Sequence, residues 1–84
     1  MKFKAEIDIM PHKALLDPQG KAVSQSMQNL HLSEISNVRI GKHISLEVDA
    51  GSKEEADNKV KEACSKLLAN PIMEYFEFEI QEIH

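Results

Sequence analysis

Apolar and polar residues alternate from the start of the chain, with Phe3, Ala5, Ile7 and Ile9 against Lys2, Lys4, Glu6 and Asp8. A period of two with one apolar face predicts a half-buried strand. Pro11 cannot donate to a ladder and predicts where that strand stops. Asp17-Pro18-Gln19-Gly20 has the form of a helix start, with Asp17 as the cap and Pro18 at the first helical position. Val23, Met27 and Leu30 follow at helical spacing, and the helix is expected to end near His31. Leu32 to Asn37 reads as a connector anchored by Leu32 and Ile35.

Alternation returns in Val38-Arg39-Ile40 and again in Ile44-Ser45-Leu46-Glu47-Val48, with Gly41-Lys42-His43 between them. A glycine between two alternating runs predicts a hairpin, because it tolerates the positive φ of tight turns. Ser52-Lys53-Glu54-Glu55 has capping-box form. Ala56, Val60, Ala63, Cys64, Leu67 and Leu68 make the apolar stripe of a second helix, which Asn70-Pro71 ends. Glu55–Lys59, Asp57–Lys61 and Glu62–Lys66 are favourable pairs four residues apart on its outer face. The last strand is expected from Tyr75 to Ile83, with Phe76, Phe78 and Ile80 on one side. The order β-α-β-β-α-β predicts an α+β two-layer sandwich, an antiparallel four-stranded sheet with two helices on one face, ferredoxin-like in topology. The last strand is long for so small a sheet, and its edge invites pairing with another chain.

Size limits what such a chain can do. At 84 residues it is expected to be a single domain spanning 1–84. Scaling of surface with mass gives ~5,000 Å² exposed when folded, so only about 60% of the extended chain's surface is buried. A core that thin gains from association. The net charge of −4 and a lone arginine, Arg39, argue against nucleic acid as a partner. One cysteine, Cys64, allows neither an internal disulfide nor a zinc cage. Apolar runs of two or three residues are far short of a membrane span, and no secretion signal opens the chain, so a cytoplasmic location is expected.

Little in the chain assembles chemistry. Gly20-Lys21 and Gly41-Lys42 are fragments of a phosphate loop without its full spacing. His12, His31, His43 and His84 share no metal-ligand spacing and read as solvated surface residues. Cys64 falls on an apolar stripe, where a thiol is poorly ionised. Glu77 and Glu79 share a strand face and could chelate a cation, but they also keep an aromatic strand soluble. No nucleophile, base and oxyanion site come together, so no catalytic residue and no metal site are expected. The residues describe a binding or assembly module.

Three segments carry a resemblance: Leu16-Asp17-Pro18-Gln19-Gly20-Lys21-Ala22-Val23, Val38-Arg39-Ile40-Gly41-Lys42, and Leu67-Leu68-Ala69-Asn70-Pro71-Ile72-Met73-Glu74. In order and spacing the chain resembles the PurS family, the small subunit of phosphoribosylformylglycinamidine synthase, nearly end to end. Two departures stand out: Ala14-Leu15 where that family has a glycine and a hydrophobic residue, and His31 after Leu30 where a glycine is usual. The resemblance implies a subunit of an ATP-dependent, glutamine-hydrolysing ligase complex in de novo purine biosynthesis. It implies a homodimer or higher oligomer that bridges a glutaminase subunit and a large synthetase subunit and aids ammonia transfer between them. ATP, Mg and glutamine would serve the complex, with no cofactor bound by this chain.

By that resemblance Asp17, Gln19 and Gly20 form a first-helix motif, Arg39, Gly41 and Lys42 a hairpin motif, and Asn70 and Pro71 the end of the second helix. Asp17, Gly20, Gly41 and Asn70-Pro71 each have a purely structural use as cap, turn or stop. Arg39 and Lys42 carry charge that the fold is not expected to need, which makes them the leading partner-contact candidates. The competing reading is a regulatory domain of the ACT type, which binds a small metabolite at a glycine-rich connector between its first strand and first helix. Here that connector, Pro11 to Asp17, contains no glycine.

Overall fold

Alternation along the first residues builds the central strand of the molecule. The computed structural model describes residues 1–83, and His84 lies outside them. Strand β1 spans Lys2–Pro11, helix α1 Pro18–Asn29, β2 Lys42–Asp49, α2 Lys53–Ala63 and β3 Glu74–Ile83. The sheet has three strands in the order β2-β1-β3, both pairings antiparallel. β1 runs two residues past Ile9, and Pro11 is tolerated because it sits at the strand's last position, opposite Glu74.

The expected fourth strand does not form. Val38 N–H donates to Ser24 Oγ at 3.1 Å, and Ile40 N–H donates to Asp17 Oδ2 at 2.9 Å. Side chains of α1 and its cap therefore take the donors that a ladder would need, and the alternating run is too short to compete. Gly41 consequently turns no hairpin, and its φ is not positive. It is required for close approach instead: a Cβ there would run into Ile9 O and Met10 Sδ as the chain enters β2.

One face of the sheet carries the core. Phe3, Ala5, Ile7 and Ile9 of β1 are fully covered and meet Ala56, Val60 and Cys64 of the second helical segment. Ile44, Leu46 and Val48 of β2 and Phe76 and Phe78 of β3 are only half-buried at its flanks. Ser52 Oγ caps α2 by accepting from Glu55 N–H at 3.2 Å, while the Glu55 carboxylate reaches back to Gly51 N–H at 2.9 Å. The expected pairs Glu55–Lys59, Asp57–Lys61 and Glu62–Lys66 all form, at 3.3, 3.8 and 2.6 Å. Beyond Ala63 the helix widens into a π-turn over Cys64–Leu68, closed by Ala69 N–H donating to Cys64 O at 2.9 Å. That widening carries Leu67 off the expected apolar stripe and into solvent, where it is 81% exposed.

Only α2 covers the sheet. α1 has no extended packing against any strand and projects with its flanking segments past the end of β1. The molecule therefore measures 52 × 28 × 14 Å, with a radius of gyration of 16.5 Å, against ~12 Å for a compact chain of this length.

Candidate functional site

The junction between the sheet and the projecting arm is organised by one ion pair. Asp17 caps α1, its Oδ1 accepting from Gly20 N–H at 3.0 Å. Its Oδ2 accepts from Ile40 N–H at 2.9 Å and from Arg39 Nε at 3.3 Å. The Asp17 side chain is 11% exposed and that of Arg39 28%. The amides of Gly20 and Ile40, and then Arg39, hold the Asp17 carboxyl below its ordinary pKa. Gly20 is buried, and a Cβ there would strike Val38 O, so only glycine lets α1 meet the return segment this closely. Because Gly20 N–H is committed to Asp17, the Gly20-Lys21 pair cannot cradle a phosphate.

Arg39 does more than pair with Asp17. Its terminal nitrogens donate to Pro11 O at 3.1 Å, His12 O at 2.9 Å and Lys13 O at 3.5 Å. These carbonyls belong to the last residue of β1 and to the turn that follows it, where His12 O also accepts from Leu15 N–H at 3.0 Å. The expectation that the fold needs no cation here is thus corrected: Arg39 is the pin that holds the arm to the sheet.

The third resembling segment joins the same junction through His12. Asn70 builds a tight turn, its Oδ1 accepting from Ile72 N–H at 3.1 Å and its carbonyl from Glu74 N–H at 2.7 Å. His12 N–H donates to Met73 O at 2.9 Å, and the His12 ring lies 5.9 Å from that of Tyr75. The fold therefore brings Asp17, Gly20, Arg39 and Asn70 to one end of the sheet. Gln19 stands apart, exposed on the first turn of α1, and Lys42 is exposed at the start of β2. Beside the clasp is an open cleft of about 690 Å³ lined by Met10, Leu15, Leu16, Val38, Arg39 and Tyr75, among others. His12 was not singled out from the sequence, because nothing local marks a connector histidine as a dock for a turn 59 residues away.

A second polar cluster lies on the outer face of the sheet. His43 bridges β1, with Nδ1 at 2.7 Å from Asp8 Oδ1 and Nε2 at 2.6 Å from Glu6 Oε2. Ser45 Oγ donates to Glu6 at 2.7 Å. Ser45, then His43 and Lys4, hold the Glu6 carboxyl down to about 2, while Asp8 and then Glu6 raise His43 above its ordinary value. Register explains the cluster, since Asp8 lies opposite His43 and Glu6 opposite Ser45. Glu77 and Glu79 share that face across from Asp8 and Glu6, and no group of three or more His, Cys, Asp or Glu among the described residues is placed to hold a metal ion. Cys64 is buried, and burial pushes its thiol up, away from a reactive thiolate. No helix among the described residues is long and apolar enough to cross a membrane.

Comparison with known proteins finds matches along nearly the whole chain. The family model described as "PurS: Phosphoribosylformylglycinamidine (FGAM) synthase" matches residues 4–82. The phosphoribosylformylglycinamidine synthase subunit PurS of Bacillus subtilis is 36% identical over 81 residues, covering 96% of this chain and 95% of that one. Its counterpart from Thermotoga maritima is 37% identical over 81 residues, covering 96% of each. Among solved structures, the chain superposes on one in the PurLQS structure from Thermotoga maritima with a TM-score of 0.87. The two are 34% identical over 96% of this chain and 99% of that one.

Proposed function

Because this chain belongs to the PurS family of subunits of phosphoribosylformylglycinamidine synthase, a ligase complex of purine biosynthesis, we propose that it is a non-catalytic bridging subunit. It joins the glutaminase and synthetase subunits of its complex and aids the transfer of ammonia between them. It does so as a homodimer or higher oligomer, with the ATP, Mg and glutamine chemistry carried by its partners. Asp17, Gly20, Arg39 and Asn70 shape the partner-facing end, and Lys42 and Gln19 offer it exposed polar groups.

The observation that carries this reading is the clasp. Three segments separated in sequence are tied together at one end of the molecule by Asp17, Arg39 and His12. That end holds an open, largely apolar cleft with a polar rim rather than an enclosed polar pocket. A preorganised surface of that kind suits docking, because little ordering is left to be done on binding. Both sheet edges, β2 and β3, are also unpaired among the described residues and available to a further strand.

The test compares glutamine-driven amidine formation by the two partner subunits with and without this chain. Phosphoryl transfer needs a metal and phosphate cradle, and amide hydrolysis needs an activated nucleophile. The chain alone is expected to turn over neither ATP nor glutamine, and adding it should switch on glutamine-driven turnover. Equal rates with and without it would overturn the bridging reading.

A further inference from the structure

Ion pairs engage most of the cations on this acidic chain. Lys2, Lys4, Arg39, Lys59, Lys61 and Lys66 each meet a carboxylate, at 2.6 to 3.8 Å. Among the described residues, Lys13, Lys21, Lys42 and Lys53 meet none. Three of these four stand together. Lys13 and Lys21 line the cleft of about 690 Å³ beside the clasp, and Lys42 lines a neighbouring cleft of about 470 Å³. The two clefts share Met10 and Tyr75, which lie opposite each other near the end of the β1–β3 pair. Alternation puts both on the face that carries Glu6, Asp8 and Glu77, turned away from the core. Leu15 and Leu16, 37% and 75% exposed, add apolar surface to the larger cleft. The clasp holds the backbone of its lysines: Arg39 donates to Lys13 O at 3.5 Å, and Lys21 N–H donates to Asp17 O at 2.9 Å. Asp17 and Arg39 spend their charge on each other, so the free charge at this cleft is that of Lys13 and Lys21.

We propose that the groove formed by the two clefts receives an acidic segment of a partner subunit. An apolar side chain of that segment seats on Met10, Tyr75 and the two leucines, and carboxylates beside it reach Lys13, Lys21 and Lys42. The proposal deepens the bridging reading and rests on it, since it names the chemistry of what docks. Charge complementarity selects the occupant: an apolar floor with free cations at its rim fits an apolar anchor flanked by anions. A phosphate group suits the groove less well, because the Gly20 and Ile40 amides that could cradle it are committed to Asp17. A long polyanion would meet Asp8 and Glu77 beside Lys42. Carboxylates need no cradle, because a lysine ammonium is a mobile point charge.

The experiment titrates the full chain, with labelled methionine methyls, against the synthetase and glutaminase subunits in turn. One of them is expected to shift the Met10 methyl signal while leaving that of Met1, at the other end of β1, in place. Lys13→Glu and Lys21→Glu should each weaken that partner's binding at least tenfold at low salt, with the melting temperature unchanged. Lys53→Glu removes an unpaired lysine at the start of α2 and alters net charge equally, yet it should leave binding as it was. Equal losses in Lys21→Glu and Lys53→Glu would show net charge acting at a distance and overturn the proposal. Wild-type binding in both groove variants would overturn it too, leaving the bridging reading intact. A Met10 shift produced by inorganic phosphate and by neither partner would make the groove an anion site, and one produced by raising the chain's own concentration would put a second copy there. Either outcome overturns the proposal. A chain that binds neither subunit would overturn the bridging reading itself and this proposal with it.

Discussion

Arg39 Nε donates to Asp17 Oδ2 across 22 positions of sequence, at 3.3 Å, and the same guanidinium reaches the carbonyls of Pro11 and His12. One side chain thus connects the cap of α1 to the end of β1. Removing it takes a charged donor from Asp17 and from several carbonyls together, which costs more than breaking an exposed ion pair.

Arg39→Ala should therefore lower the thermal midpoint by several degrees, as followed by circular dichroism. Arg39→Lys should restore little of it, because an ammonium lacks the planar fork that spans a carboxylate and two carbonyls. In a double-mutant cycle with Asp17→Asn, the two losses should be far from additive. A variant that melts with the wild type would show that the arm is held by other contacts.

Acid should loosen the same clasp. The Asp17 pKa is depressed by Gly20 and Ile40 amides and by Arg39, so its contribution is present above the ordinary carboxyl range and is lost as pH falls through the folded value. His43 behaves oppositely. Its pKa is raised by Asp8 and Glu6, so its contribution is complete below pH 6.5 and declines as pH rises through the folded value. The stability difference between wild type and His43→Gln should shrink from pH 6.5 upward, and the His43 ring protons should titrate later than those of a free histidine. The effect is small, because all three groups are solvent-exposed. A His43 titration at or below the ordinary value would refute the bridge.

Helix α1 ends on an unfavourable residue. His31 has φ 63°; its N–H donates to Gln28 O at 3.1 Å, and Leu32 N–H donates to Met27 O at 2.8 Å. This is a left-handed helix closure of the kind glycine favours. His31→Gly should stabilise the chain by roughly 0.5–1 kcal/mol, the side-chain strain relieved less the added backbone entropy. Urea unfolding would measure it, and a loss of stability would show that the imidazole has a use of its own.

That histidine shows where the sequence was legible. The resemblance implied a glycine at this position, which made His31 a departure, and its φ of 63° is the conformation glycine favours. Strands β1 and β3, both helix starts and the three charge pairs of α2 follow from local period and capping, so they were readable. The missing fourth strand was not, because Val38 and Ile40 lose their amides to Ser24 and Asp17 on another element. Arg39 and Asp17 were both recognised, but their pairing depends on a tertiary approach that no spacing encodes. The same holds for His12 and the Asn70 turn, and for Leu67, which the π-turn displaces.

Lys42 offers the cleanest separation of binding from folding. Unlike Arg39, it is exposed at the mouth of β2, beside a cleft shared with Met10, Gly41, His43 and Tyr75. Its backbone holds register opposite Ile9, a role any side chain leaves intact. Lys42→Ala should therefore shift stability by no more than about 0.5 kcal/mol, the range of ordinary surface substitutions. Calorimetric titration into the synthetase subunit should nonetheless show binding at least tenfold weaker, since a rim cation that meets an acidic patch raises the association rate. The loss should itself diminish at high salt, where the Debye length falls to about 3 Å at 1 M. Arg39→Ala should weaken binding as well, but with a lowered melting temperature that Lys42→Ala does not share. If Lys42→Ala binds as tightly as wild type at low salt, the interface lies elsewhere, and the clasp shapes the end of the molecule without that lysine touching the partner.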